Sequence, residues 1–177
     1  MTSLTAFTVL VVLVGVERLA ELVVSKRNAA WSKEQGGVET GFSHYPPMVV
    51  LHTGLLAGAL VEAYARDPHV PSALAWSMLL VVVLSQALRW WCIATLGRQW
   101  NTRVIVVPGL TPVRRGPYAV IPHPNYVAVV LEGIALPLVH AAWVTAVVFT
   151  LLNAVLLTVR IRVENAALET IAEPTGA

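Results

Sequence analysis

Long apolar runs separated by short polar stretches set the pattern of this chain. Leu4–Val24 is the first run and has the length that a bilayer core asks of a helix, about 20 mostly apolar residues. Met48–Tyr64, introduced by Pro46 and Pro47, is the second, and Ser72–Ala94 the third. From Tyr126 to about Val163 the chain stays apolar for longer than one span of ordinary tilt. Pro137 and the stretch "LVHAAW" offer a break there, dividing the run into helices at about 126–139 and 142–163. The pattern predicts an all-α, polytopic integral membrane protein of about five transmembrane helices, folded as one domain over residues 1–177. "NAAWSKEQGGVETGFSHYPP" reads as a polar connector with a Gly-Gly break, and "AEPTGA" as a frayed tail.

Composition agrees with this reading. Hydrophobic residues make up 56% of the chain, charged residues 12%, and the mean hydropathy is +0.70, whereas a soluble domain carries about 25% charged residues. The first charges are Glu17 and Arg18, so no basic segment precedes the first apolar run, which is read as a retained span rather than a signal peptide. A net charge of +2 with no dense basic face argues against nucleic acid as a partner. Cys92 is alone inside an apolar run, a small buried core residue with no thiol to pair with. His44, His52, His69, His123 and His140 show no metal-ligand spacing.

The basic residues orient the chain. Lys26, Arg27, Lys33, Arg98, Arg103, Arg114, Arg115, Arg160 and Arg162 fall on one side of a five-span arrangement, and Arg66 on the other. Lys and Arg accumulate in cytoplasmic loops, so the N-terminus is expected outside and the loop 97–123 in the cytoplasm.

Several charged residues lie within spans. Glu17, Arg18 and Glu21 share one helical face; they suit either structural pairing with snorkelling or the wall of a polar cavity. His52 reads as hydrogen-bonded packing, and Glu62 and Arg89 as residues solvated near span ends. Glu132, among apolar neighbours two turns into the fourth helix, needs a cationic partner or a functional reason. Trp31, Trp76, Trp90, Trp91, Trp100 and Trp143 sit near span ends, as an interfacial aromatic belt does.

The stretch "RRGPYAVIPHPNY" (114–126) stands out between apolar runs. Gly116-Pro117 and His123-Pro124 fix the backbone direction twice, which enforces a defined non-helical path. Such backbone at a membrane edge survives where it is covered by protein or lines a watery cavity. It therefore suits either a polar ligand site or a cap on the bundle, with Asn125 able to cap the fourth helix. In "RIRVENAAL", Arg160 and Glu164 lie four apart on one face, in the weaker orientation for an ion pair. A ligand bridging them and a plain pair both stay open.

Together, "GPYAVIPHPNY", an apolar helix pair and "RIRVENAAL" resemble the isoprenylcysteine carboxyl methyltransferase family over residues 97–168. The pattern there is Gly-x-Tyr, Arg-His-Pro-x-Tyr, then Arg-x-x-x-Glu-Glu-x-x-Leu. "ERLAELVVSKRN" and "HYPPMVVLH" resemble a bacterial branch that O-methylates alkylpyrone or alkylresorcinol lipids beside polyketide synthases. The resemblance implies three N-terminal spans (1–96) and a catalytic loop with a C-terminal helix pair (97–168). It also implies S-adenosylmethionine as cofactor. Tyr118, His123, Pro124, Asn125, Tyr126 and the backbone of Leu110, Thr111, Pro112 and Val113 would contact the cofactor. Glu164 would hold a polar group of it. Arg160 would face the acceptor, and Glu132 or His123 would take a proton from a phenolic one; Arg160 and Glu132 are the catalytic candidates. Membrane lipids, a lipid-like acceptor and a polyketide synthase supplying it are the implied partners. Two positions depart from the pattern: Pro122 replaces the Arg before His-Pro, which disfavours a carboxylate acceptor, and Asn165 replaces the second Glu. Isoprenylcysteine-type carboxyl methylation, phospholipid N-methylation and a non-catalytic membrane ligand-binding or scaffold role stay open as alternatives.

Overall fold

The computed structural model describes residues 3–66 and 68–172. It consists of five helices: α1 (Leu4–Glu34), α2 (Tyr45–Arg66), α3 (Ser72–Leu96), α4 (Pro124–Leu138) and α5 (Trp143–Ala172). The tail EPTGA and Asp67 lie outside the described residues. Tyr45–Arg66, Ser72–Gln99 and Trp143–Glu169 are long and apolar enough to cross a membrane. α1 has the length, but its middle carries Glu17, Arg18 and Glu21. α4, at 15 residues, reaches only about 22 Å at about 1.5 Å per residue. Many large apolar side chains point outward, among them Leu13, Leu19, Leu80, Leu84, Leu151 and Val155. An integral membrane protein presents such a surface to lipid.

α1 runs well past Val24, so the expected connector begins in fact at Gln35. The reason is a stripe of inward positions three and four apart: Phe7, Val11, Val14, Arg18, Glu21, Ser25, Asn28 and Ser32. Its first part is apolar and packs into a core with Ala59, Ala63, Val82, Leu136 and Val139. Its second part is polar, because its partners are polar. Ser25 Oγ lies 2.8 Å from Thr102 Oγ1 and accepts from the Thr102 amide at 3.0 Å. The Asn28 amide donates to the carbonyls of Gly97 at 3.0 Å and Trp100 at 2.7 Å.

A short antiparallel ladder, unforeseen in the sequence, fastens the connector to the later loop. β1 (Val38–Thr40) pairs with β2 (Val104–Val106), with Val38 opposite Val106 and Thr40 opposite Val104. Lys33 and Arg103 both pair with Glu39, at 3.4 Å and 3.1 Å. The Arg103 guanidinium also lies 4.9 Å from the Tyr45 ring centroid. Glu62, expected to be merely solvated, instead accepts from the amides of Val144 and Thr145 at 3.0 and 2.8 Å, satisfying the free donors at the start of α5.

α4 packs chiefly against α3 and α5. Gly133 makes the α5 contact possible, since a Cβ there would stand 2.0 Å from Phe149 Cε1. Phe149 is buried and meets His52 edge-on, so it has no free space to retreat into. Gly133→Ala is expected to destabilise the protein by about 1–3 kcal/mol, as overpacking does. A thermal melt in detergent checks this.

Candidate active site

The segment between α3 and α4 folds back over the loop end of the bundle. Gly116 turns it with φ +56°, and a Cβ there would lie 2.8 Å from Thr95 Oγ1. Only a residue without a side chain both adopts that conformation freely and sits so close to α3. Pro117 then buries itself in a short 3-10 turn, Gly116–Ala119. Tyr118 hydrogen-bonds Cys92, and burial followed by that contact raises its phenol above the ordinary tyrosine range. Pro124 starts α4, its fixed φ suiting the first helical position. His123 therefore occupies the cap position, without a side-chain cap bond, and Asn125 is already inside the helix rather than capping it.

Two chambers meet beneath this segment. The first has a volume of about 220 Å³ and is walled by β2 and the loop, with Leu110, Pro112, Val113, Tyr118, Pro122, His123, Asn125, Tyr126, Arg160 and Glu164. The second, about 490 Å³, is largely apolar and lies between α1 and α2, with Val12, Val16, Leu19, Met48, Val49 and Leu56 on its wall. Trp100, Asn101, Asn125, Tyr126 and Arg160 line both.

Tyr126 links the residues of the common wall. Its hydroxyl accepts from Arg160 Nε at 2.8 Å and donates to Glu164 Oε2. Arg160 and Glu164 thus meet through a phenol, where the sequence left a direct pair or a bridging ligand open. The His123 ring stacks on Tyr126, centroids 5.3 Å apart. Its Nδ1 lies 3.6 Å from Glu164 Oε1, and its Nε2 is 3.1 Å from Asn165 Oδ1. Asn165, in the place of a second glutamate, thereby holds the imidazole from its other side.

The Glu164 carboxylate beside it raises the His123 pKa above its ordinary 6.5, against the opposing effect of burial. A raised folded-state value means the protonated pair stabilises the fold fully below about pH 6.5 and loses that contribution as pH rises through the folded-state pKa. The melting temperature of the ligand-free protein is expected to fall as pH goes from about 6 to 8. His123→Gln should flatten that slope; an unchanged slope in the variant would contradict the pairing.

Of the residues singled out in the sequence, Leu110, Pro112, Val113, Tyr118, His123, Asn125, Tyr126, Arg160 and Glu164 come together around the first chamber. Thr111 and Pro124 do not line it. Glu132 lines neither chamber, because it has the cationic partners that its position demanded: Arg89 Nη2 at 2.5 Å and Arg18 Nη2 at 3.5 Å. Arg89 is correspondingly buried, 5% exposed, not solvated at a span end. Trp100 is 3% exposed and forms part of the common wall, so it leaves the expected aromatic belt. Asn101, Arg103 and Val104–Val107 were not anticipated as site residues. Their only sequence signal is the short β-branched run "VIVV" after a polar "NTR".

The family model described as the isoprenylcysteine carboxyl methyltransferase (ICMT) family matches residues 78–170, the segment that supplies most of the first chamber. The chain belongs to the isoprenylcysteine carboxyl methyltransferase family. It is also similar to the uncharacterized protein YpbQ of Bacillus subtilis (strain 168), 40% identical over 164 residues, which are 92% of this chain and 96% of that protein. No solved structure matches. Membership makes the protein a membrane methyltransferase, and the motifs that carry the resemblance lie in the loop and on α5.

Proposed function

We propose that the protein O-methylates a lipid-like hydroxyl acceptor, of the alkylpyrone or alkylresorcinol polyketide kind, with S-adenosylmethionine as donor. The observation that carries this reading is the pair of chambers sharing one wall: a polar chamber under the loop beside a larger apolar one between helices. A polar donor fits the first from the cytoplasmic side of a bacterial cell membrane, and a lipid fits the second from the bilayer. A polyketide synthase releasing such lipids into the membrane would be a suitable supplier.

The residues present fit the cofactor. Asn125 Oδ1 is buried without a hydrogen-bond partner, and the Glu164 carboxylate, at the polar edges of His123 and Tyr126, offers a cation a counter-charge. Tyr118, His123, Asn125, Tyr126 and Glu164 would hold it; when bound it supplies an electrophilic methyl group. The chain's own task is then to align the acceptor oxygen for in-line attack, which in well-oriented systems is worth about 7–11 kcal/mol. Arg160, on the common wall, stabilises the developing oxyanion. Tyr126 spends one lone pair on Arg160 and donates its proton to Glu164, so its second lone pair is free to accept a proton from a neutral hydroxyl. The acceptor's proton would pass to Tyr126 Oη as the tyrosine proton passes to Glu164, leaving the oxygen free to take up the methyl group that the donor would supply.

Calorimetry with S-adenosylmethionine in detergent, followed by labelled methyl transfer into lipid extracts and mass spectrometry of the product, tests the proposal. A methylated long-chain hydroxyl supports it. A methyl ester or methylamine product would point to carboxyl or phospholipid methylation instead, and binding without any transfer to a non-catalytic role.

A further inference from the structure

Asn165, standing where the family pattern has a second glutamate, touches His123. The imidazole meets a different partner at each nitrogen. Nδ1 faces Glu164 Oε1 at 3.6 Å, and Nε2 lies 3.1 Å from Asn165 Oδ1. An amide oxygen only accepts, so Nε2 carries a proton in this arrangement. Without a proton on Nδ1, its lone pair would face a carboxylate, acceptor against acceptor. The imidazolium removes that conflict by holding a proton on both nitrogens.

The other groups around the ring do not support this charge. α4 stacks Tyr126 on it, and Arg160 of α5 binds the hydroxyl of that tyrosine. Tyr118 and Arg103 stand on the wall of the same chamber, where Arg103 is paired with Glu39. His123 is also the cap residue of α4, at the helix end whose dipole disfavours a cation. The imidazolium thus depends on Glu164. Both side chains are partly exposed, 20% for His123 and 30% for Glu164, so a ligand and a proton can each reach them.

Glutamate and asparagine differ here in kind. A carboxylate only accepts, so a glutamate at position 165 would hold the ring between two negative charges and keep it protonated. An amide carries both an acceptor and donors. Turned over, Asn165 donates to a bare Nε2 while Nδ1–H points to Glu164, and the neutral ring is satisfied as well.

Resting on the donor reading above, we infer that Asn165 is a positioning residue that lets His123 give up its proton, so that the cationic donor and a proton compete for Glu164. Once the donor's positive charge settles against Glu164, a second cation beside it is disfavoured. The imidazolium then releases one proton to water and the Asn165 amide turns over. Donor binding is therefore tighter at higher pH across the titration of His123.

Calorimetric titration of the full chain in detergent with S-adenosylmethionine, run in phosphate and in Tris, reads the protons released, because the two buffers differ in heat of ionisation. The expected result is net proton release on binding between about pH 6 and 7.5, with Kd falling by up to about tenfold per pH unit. In Asn165→Glu and in His123→Gln the release is expected to vanish and Kd to lose its pH dependence. The first variant keeps the proton on the ring and the second removes the ring, so two opposite changes give one outcome. Heat from the donor shows that a variant is folded, and either variant alone suffices if the other fails to bind. Wild-type binding without release, binding with proton uptake, or a release that survives substitution would overturn the inference and leave the donor reading in place. No donor heat from the wild type would remove the donor reading, and the inference with it.

Discussion

Tyr126→Phe should reduce methyl transfer to a weakly acidic phenol by about 10²–10⁴-fold, the usual contribution of a positioned proton acceptor. Transfer to an acceptor already ionised at the assay pH should fall far less. The distinction follows from the hydroxyl's position: it lies on the wall common to both chambers, holds Arg160 Nε at 2.8 Å and donates to Glu164. Phenylalanine keeps the ring that stacks on His123 and removes only the oxygen. Arg160→Ala should act otherwise, lowering transfer to every acceptor, because an oxyanion needs the guanidinium however it was formed. Rates measured across phenols of graded acidity check both statements. A Tyr126→Phe loss that is uniform across the series would reduce the tyrosine to a holder of the donor.

Arg89→Met is expected to cost about 3–5 kcal/mol of stability, the penalty for stranding a buried charge. Glu132, 4% exposed, would keep only Arg18 at 3.5 Å. Adding Glu132→Leu should recover most of the loss, since a pair replaced by well-packed apolar groups is often neutral. Denaturation of the single and double variants in detergent decides this. A double variant no better than Arg89→Met would show that Arg89 supports the fold mainly through Glu21.

The helices were legible in the sequence because each carries an apolar run of nearly membrane length. The end of α1 was not, and the cause is physical. Ser25, Asn28 and Ser32 look like loop residues on a hydropathy scale, yet they continue the inward stripe of a helix whose neighbour there is the polar backbone of residues 97–102. β1 and β2 are three residues each and join segments some sixty residues apart, so no local periodicity announces them. Hydropathy also cannot tell a tryptophan at a lipid interface from one in a cavity wall, which is why Trp100 was misplaced. Arg89 shows a related blindness: its position near a span end fits solvation, and only its alignment with Glu132 on another helix reveals burial. For the site, Tyr118, His123, Asn125, Tyr126, Arg160 and Glu164 came from motif resemblance. Chain order gave no hint that Asn125, Tyr126 and Arg160 also face the apolar chamber, since the rest of that chamber is formed largely by α1 and α2 from outside the motifs.

The brevity of α4 has a consequence for the bilayer itself. A helix of 15 residues falls several ångströms short of a hydrocarbon layer about 30 Å thick. Phospholipids around it must thin or tilt to meet its end. The proposed reaction centre at its first turn is then expected to lie recessed below the plane of the head groups, where a greasy molecule would reach it without being lifted toward water. Reconstitution into short-chain and long-chain phosphatidylcholine would then tune turnover through membrane thickness alone.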